Sequence, residues 1–315
     1  MRFTSIVIAF AVFALLAAGC TAGNSDSSDG DNDGSGGAGS GTNSGPSGPG
    51  GTTGTGFEVT SSTSGSGGGS ADGCVENAKL IYVVSVENTL YSFDPKIPGT
   101  AAYKEVGTLS CPSSGSSSPQ SMSVDHNGVA WVFYDSGQMF QVSTLDASCQ
   151  ATSYVHPVQN GFNQLGMGFT ATSDGSKDDQ LFVVSPDFGL ATVAFPSMAV
   201  TKLNVLQNAA ELTGGPDAKL FEFVASSAKV NEIDIANGYS TSQVHTFSEL
   251  SGTNAWAFSR YGGKFYLFTS PGTGFSSKTT EYDPVTNTSS VRDASIGFTI
   301  VGAGQSICVP APPPQ

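Results

Sequence analysis

The 315-residue chain is short of positive charge. Twelve Lys and Arg and three His stand against 26 Asp and Glu, for a formal net charge of −14. No run of the sequence concentrates the bases, which excludes a nucleic-acid surface and an electrostatic grip on anionic lipid headgroups. Charged residues of either sign make up only 12% of the chain, about half the ~25% of an ordinary globular protein. Long apolar runs are missing too. The longest, residues 6–18, has 13 residues, short of the ~20 helical residues that span the hydrocarbon core. The spacings HExxH, GxSxG, CxxC and the P-loop do not occur, nor does a Trp-Asp repeat signature. With them go the zincin, nucleophile-elbow and phosphate-cradle chemistries. Only two Trp are present, too few for a tryptophan-rich quinone-cofactor site. No cofactor and no metal site is expected.

What is abundant is glycine, with 40 residues, and its distribution divides the chain. Arg2 followed by the apolar run reads as a secretory signal. It ends in Ala17-Ala18-Gly19-Cys20, which resembles the bacterial lipobox. That resemblance implies residues 1–19 as a lipoprotein signal peptide, cleavage before Cys20 and acylation of Cys20, a stable membrane anchor. Thr21, rather than Asp, favours the outer membrane. From 21 to 73, 37 of 53 residues are Gly, Ser or Thr, and Phe57 and Val59 are the only bulky apolar side chains. Such a stretch cannot offset its ordering entropy, so residues 20–73 are expected to be a disordered tether spanning about 40 Å. Asp29-x-Asp31-x-Asp33-Gly34 has the first half of a calcium-loop spacing, but loop position 12 is Ser40, and a solvated acidic stretch is the better reading.

The remaining residues carry a repeat. SMSVD at 121–125, GMGFT at 166–170, ELTGG at 211–215, AWAFS at 255–259 and TIVGA at 299–303 align on Met122, Met167, Leu212, Trp256 and Ile300, spaced 45, 45, 44 and 44 residues apart. A constant period of this size marks a repeated supersecondary unit. After each of the first four comes an apolar run (VAWVFYD, QLFVVSP, KLFEFVA, KFYLFTS), then an alternating run, then a polar one. Apolar inside and polar outside is what a four-stranded propeller blade needs, because neighbouring blades cover both faces of the inner strands. The first unit, beginning KLIYVVS at 79–85, lacks an inner strand, and the last unit is only an inner strand. The two complement each other, so the C-terminal strand is expected to close the ring. The reading is an all-β, five-bladed propeller over 74–309 with a Pro-rich tail at 310–315. Six blades is the alternative if the loop at 271–277 hides strands. SMSVDHNGVAWVFYDSGQMFQVST resembles the repeat of NHL and gluconolactonase-like propellers, and the chain as a whole resembles uncharacterised lipobox-bearing propeller proteins of myxobacterial type.

With Cys20 acylated, Cys74, Cys111, Cys149 and Cys308 remain, and an exported compartment permits disulfides. Three pairings are possible. Ring closure brings the ends of the domain together, which favours Cys74–Cys308 and leaves Cys111–Cys149. The second pair meets a difficulty, because simple blade geometry puts its two cysteines on opposite faces.

Chemistry-bearing residues are few. His126, His156 and His245 fall in different local contexts. Asp125 and Glu211 are the only carboxylates in the inner-strand regions. Asp125-His126-Asn127-Gly128 reads first as a turn. Asp174-x-Ser176-x-Asp178-Asp179 reads as a solvated loop. Asp125 and Trp256 are the candidate ligand contacts; no catalytic residue is assigned. The expected function is an exported, lipid-anchored propeller that binds a ligand or an envelope protein without catalysis. A carbohydrate-active hydrolase or lyase using Asp125 and Glu211, and a structural envelope component, are the alternatives.

Overall fold

The computed structural model describes residues 73–158, 164–204, 206, 208–250 and 252–313. The signal segment, Cys20 and the linker up to residue 72 lie outside the described residues. Within them, twenty strands form five antiparallel four-stranded sheets. The first blade contains β1 (Ile81–Ser85), β2 (Thr89–Phe93) and β3 (Tyr103–Thr108). The second is β4 (Pro119–Val124), β5 (Val129–Tyr134), β6 (Met139–Ser143) and the three-residue β7 (Cys149–Ala151). The third is β8 (Gly166–Ala171), β9 (Asp179–Ser185), β10 (Gly189–Ala194) and β11 (Ala199–Asn204). The fourth is β12 (Ala210–Thr213), β13 (Leu220–Val224), β14 (Lys229–Asp234) and β15 (Ser240–Thr246). The fifth is β16 (Ala255–Tyr261), β17 (Lys264–Ser270), β18 (Lys278–Asp283) and β19 (Thr288–Asp293). The last strand, β20 (Ile300–Gln305), returns to pair antiparallel with β1 and completes the first blade. The protein is a five-bladed β-propeller closed by its C-terminal strand. The loop at 271–277 holds bends and turns and no strand, which removes the sixth blade.

The burial gradient across each blade follows the sequence pattern. Every residue of β1 and β13 is buried, whereas the outer strands β3, β11, β15 and β19 are almost entirely exposed or half-exposed. The apolar core is not one mass but five clusters, one in each cleft between neighbouring blades. Phe133, Met167 and Val183 fill one of them and Phe93, Phe268 and Ile300 another. Each fully buried side chain of this size contributes about 1.5–3 kcal/mol, so the ring is held by side-to-side blade packing.

Both expected disulfides are present. Cys74–Cys308 joins the segment before β1 to the residues after β20, with a Cα–Cα distance of 5.7 Å. Cys111–Cys149 forms as well, with a Cα–Cα distance of 5.0 Å. The bond forms despite the expected conflict of faces. The end of β3 lies against the β6–β7 turn of the next blade, where a Cβ on Gly107 would stand 3.1 Å from Ala147 Cβ. The end of one outer strand therefore meets the turn that leads into the outer strand of its neighbour. Past the second disulfide-bonded end, Pro310 accepts a hydrogen bond from the Gly262 amide at 3.1 Å, so the start of the Pro-rich tail docks on the β16–β17 turn.

Candidate functional site at one end of the inner strands

The inner strands β4, β8, β12, β16 and β20 run side by side in the same direction. Their contacts fix the register: Gly166 abuts Ala210 and Gly168 abuts Leu212, while Gly302 abuts Ser121 and Gly304 abuts Ser123. These approaches are backbone to backbone. A Cβ on Gly166 would lie 1.9 Å from the Ala210 carbonyl oxygen, and one on Gly304 2.5 Å from Ser123 Cα. The small residues of the repeat are therefore what lets the strands converge, and between these pairs no side chain fits.

The C-terminal end of the inner strands is sealed. Gln305, buried at the end of β20, reaches across to two other blades. Its Oε1 accepts from Thr213 Oγ1 at 3.0 Å, from Ser259 Oγ and from the Arg260 amide, and its Nε2 donates to the Gly214 carbonyl at 2.8 Å. Arg260, also buried, pairs with Asp217 at 2.7 Å and lies over the Phe221 ring. Asp125 belongs to this end. It follows β4 and holds the β4–β5 turn: Oδ1 accepts from the amides of Asn127 and Val129, at 2.9 and 3.0 Å, and Oδ2 accepts from Trp131 Nε1 at 3.0 Å. Gly128 completes that turn with φ +74°. Burial raises the Asp125 pKa, opposed by the bonds from Trp131 and Val129. His126 is tied to Asp179, which accepts from its backbone amide at 2.8 Å and meets Nδ1 at 3.0 Å.

The N-terminal end is open. A cavity of about 460 Å³ there is lined by Gln120, Asp135, Gln164, Glu211, Asn254 and Trp256, among others. Gln120 and Trp256 are the second residues of β4 and β16, and Asn254 immediately precedes β16. Glu211 is the second residue of β12 and only 4% exposed. Its Oε2 accepts from Ser121 Oγ at 2.7 Å. Burial pushes its pKa well above the usual carboxylate range, against the bonds from Ser121 and the Met167 amide. Asp135 accepts from the Ser118 amide at 3.1 Å.

The structure thus brings Trp256 and Glu211 to one cavity and leaves Asp125 at the other end. Ser121 is level with Glu211, and Asp125 lies four residues further along the same strand direction, about 13 Å at ~3.3 Å per residue. Paired-carboxylate glycoside hydrolysis needs separations below about 9.5 Å, so Asp125 and Glu211 are not placed for it. Among the described residues, no group of three or more His, Cys, Asp or Glu is arranged to hold a metal ion. Gln120, Gln164, Asn254 and Asp135 escape sequence reasoning because amides carry no motif spacing. A signal did exist: Gln120, Gln164 and Asn254 each stand two or three residues before the repeat anchors Met122, Met167 and Trp256.

No family model matches the chain, and no curated protein is similar to it in sequence. Among solved structures it is similar to a catalytically inactive virginiamycin B lyase from Staphylococcus aureus bound to quinupristin, at 15% identity and a TM-score of 0.39, covering 71% of this chain and 72% of that one. An auxiliary nutrient binding protein from Bacteroides thetaiotaomicron is similar at 13% identity and TM-score 0.39, over 68% of this chain and 49% of that one. U3-55K follows at 9% identity and TM-score 0.44, over 73% and 82%. Likenesses this distant assign no activity, and the propeller assignment rests on the strand pairing of this chain.

Proposed function

We propose that the protein is an exported, lipid-anchored binding propeller that takes a ligand in the cavity at the N-terminal end of its inner strands and performs no catalysis on it. One observation carries this reading. The inner strands are sealed at one end by Gln305 and open at the other into a cavity whose wall joins apolar side chains, a half-exposed tryptophan among them, to a few polar ones. Small-molecule sites have this form: about 300–1,000 Å³, with a few convergent polar groups. The point of attachment supports it. Gly73, Cys74 and Cys308 border a second cavity together with His126 and Tyr261, at the C-terminal end of the inner strands. A tether from an acylated Cys20 would join the domain at that end, opposite the binding cavity. The outer membrane, suggested by Thr21, is the proposed location.

Two measurements test this together. Growth with radiolabelled palmitate should label the protein, and Cys20→Ala should abolish the label and release the chain from membranes. A photo-crosslinking residue at Gln164 should capture a molecule in the intact envelope, and one at Asn127, on the sealed end, should not. Equal labelling of Cys20→Ala removes the anchor. Capture only from Asn127 removes the cavity, and capture from neither position favours a structural envelope role.

A further inference from the structure

We propose that the open-end cavity takes a neutral sugar ring, stacked on Trp256 and hydrogen-bonded by Gln120, Gln164 and Asn254. This inference rests on the binding reading above and names its ligand class.

Charge narrows the ligand class. None of the described residues lining the cavity is Lys, Arg or His. A phosphate, sulfate or uronate would meet no counter-charge there, and it would face Asp135. The contrast is internal to the molecule, because the cavity at the sealed end, about 970 Å³, is bordered by Lys79, Lys96, Lys177 and His126. A cationic ligand fits no better. Asp135 is already engaged by the Ser118 amide and Glu211 by Ser121, and burial favours the neutral form of the Glu211 carboxyl. One aromatic wall is also not the cage that holds quaternary ammonium groups.

Hydrogen-bond type narrows it further. Hydroxyl groups both donate and accept, and the side chains that answer them in kind are amides. Two of the three here are held in a defined sense. Gln120 Oε1 accepts from the Leu165 amide at 3.2 Å, so its Nε2 is presented as a donor. Asn254 Nδ2 donates to the Pro271 carbonyl at 2.9 Å, so its Oδ1 is presented as an acceptor. The cavity thus offers a donor from blade two and an acceptor from blade five. Trp256 adds an aromatic surface. The other tryptophan, Trp131, is 5% exposed and spends its N–H on Asp125. Trp256 is only half-buried, on the cavity wall, where a flat indole face suits the apolar face of a pyranose.

The test uses the full-length protein in detergent and its tryptophan fluorescence. Titration is against an array of neutral glycans covering hexoses, N-acetylhexosamines, deoxyhexoses and pentoses, alongside trigalacturonate and choline. At least one neutral glycan should shift the emission of Trp256 saturably, and the charged probes should not compete. Trp256→Ala should weaken binding about 5- to 10-fold, Trp256→Phe should weaken it less, and Gln120→Ala should weaken it by up to ~10-fold. Binding is then read by calorimetry for the variants lacking Trp256. The inference is overturned if no neutral glycan binds, if trigalacturonate or choline binds more tightly, or if a normally folded Trp256→Ala retains full affinity. A parallel titration with a small-molecule extract of the cell envelope separates the two layers. If the extract quenches Trp256 while every neutral glycan fails, the sugar falls and the binding cavity stands. If neither acts, both fall.

Discussion

Ring closure by β20 makes the two disulfides unequal, and the inequality can be worked from their loops. Cys74–Cys308 closes a separation of 234 residues and Cys111–Cys149 one of 38. In the chain-entropy model these loops restrict the unfolded chain by about 5.5 and about 4 kcal/mol respectively. The perturbation is the pair of double variants Cys74→Ala/Cys308→Ala and Cys111→Ala/Cys149→Ala. Cys149 opens the outer strand β7 and the other three cysteines lie outside the strands, and the β1–β20 ladder from Ile81 opposite Gln305 to Ser85 opposite Ile300 remains in both variants. The fold should therefore survive each change, with unchanged far-UV circular dichroism. Urea denaturation of the oxidised proteins should show the first variant less stable than the second by about 1.5 kcal/mol, with a larger m value because the released unfolded chain is more expanded. A first variant as stable as the second, or one that loses its sheet signal altogether, would refute the reasoning. The former would mean that the unfolded ring is not held by that bond. The latter would mean that β20 cannot stay in the sheet without it.

Three further outcomes are expected. Gln305→Ala should cost about 2–4 kcal/mol, because it strands the Thr213 and Ser259 hydroxyls and the Gly214 carbonyl in a buried site; denaturant melts within error of wild type would contradict the clamp. Glu211 has a raised pKa in the folded state, so its contribution is fully present below the unfolded carboxylate pKa and is lost as pH rises through the folded one. Relative to Glu211→Gln, the wild type should lose stability from acidic toward neutral and alkaline pH, and a pH-independent difference would sink the assignment. His156 runs the opposite way. Burial among Phe133, Phe188 and Tyr154 lowers its pKa to about 4, opposed by the Asp187 charge. Its neutral form stabilises the fold above pH 6.5, and that contribution is lost as pH falls through about 4, up to roughly 3 kcal/mol. His156→Phe should flatten the acid limb of the stability curve, and an unchanged limb would show that the imidazole titrates freely.

Much of the architecture was legible because a propeller writes its period into the chain. The run KFYLFTS is β17 without a residue of error, and VAWVFYD exceeds β5 by one. The missing inner strand of the first unit and the surplus strand of the last gave the closure, and the closure gave the Cys74–Cys308 bond. The site was harder to read. A repeat marks which segments are inner strands but not which end of each is open, so Asp125 and Trp256 looked equivalent and lie at opposite ends. Trp256 departs from its period. Its aligned partners Met122, Met167, Leu212 and Ile300 are all 0–1% exposed, whereas Trp256 is half-exposed at the cavity. The amides were invisible for another reason. They act by position at strand starts, and no spacing between them is fixed by chemistry.

The central claim is that binding occurs at the open end. Its most direct measurement is the thermal midpoint of the full-length protein with and without an envelope extract, for wild type and for Trp256→Ala. A ligand present at 100 times its Kd adds about 2.7 kcal/mol to the folded state. At roughly 2–4 °C per kcal/mol for a domain of this size, the wild-type midpoint should rise by about 5–11 °C. Trp256→Ala, with its 5- to 10-fold weaker binding, should keep only about half to two-thirds of that rise. An equal rise in both proteins would place the ligand elsewhere on the propeller and contradict the account.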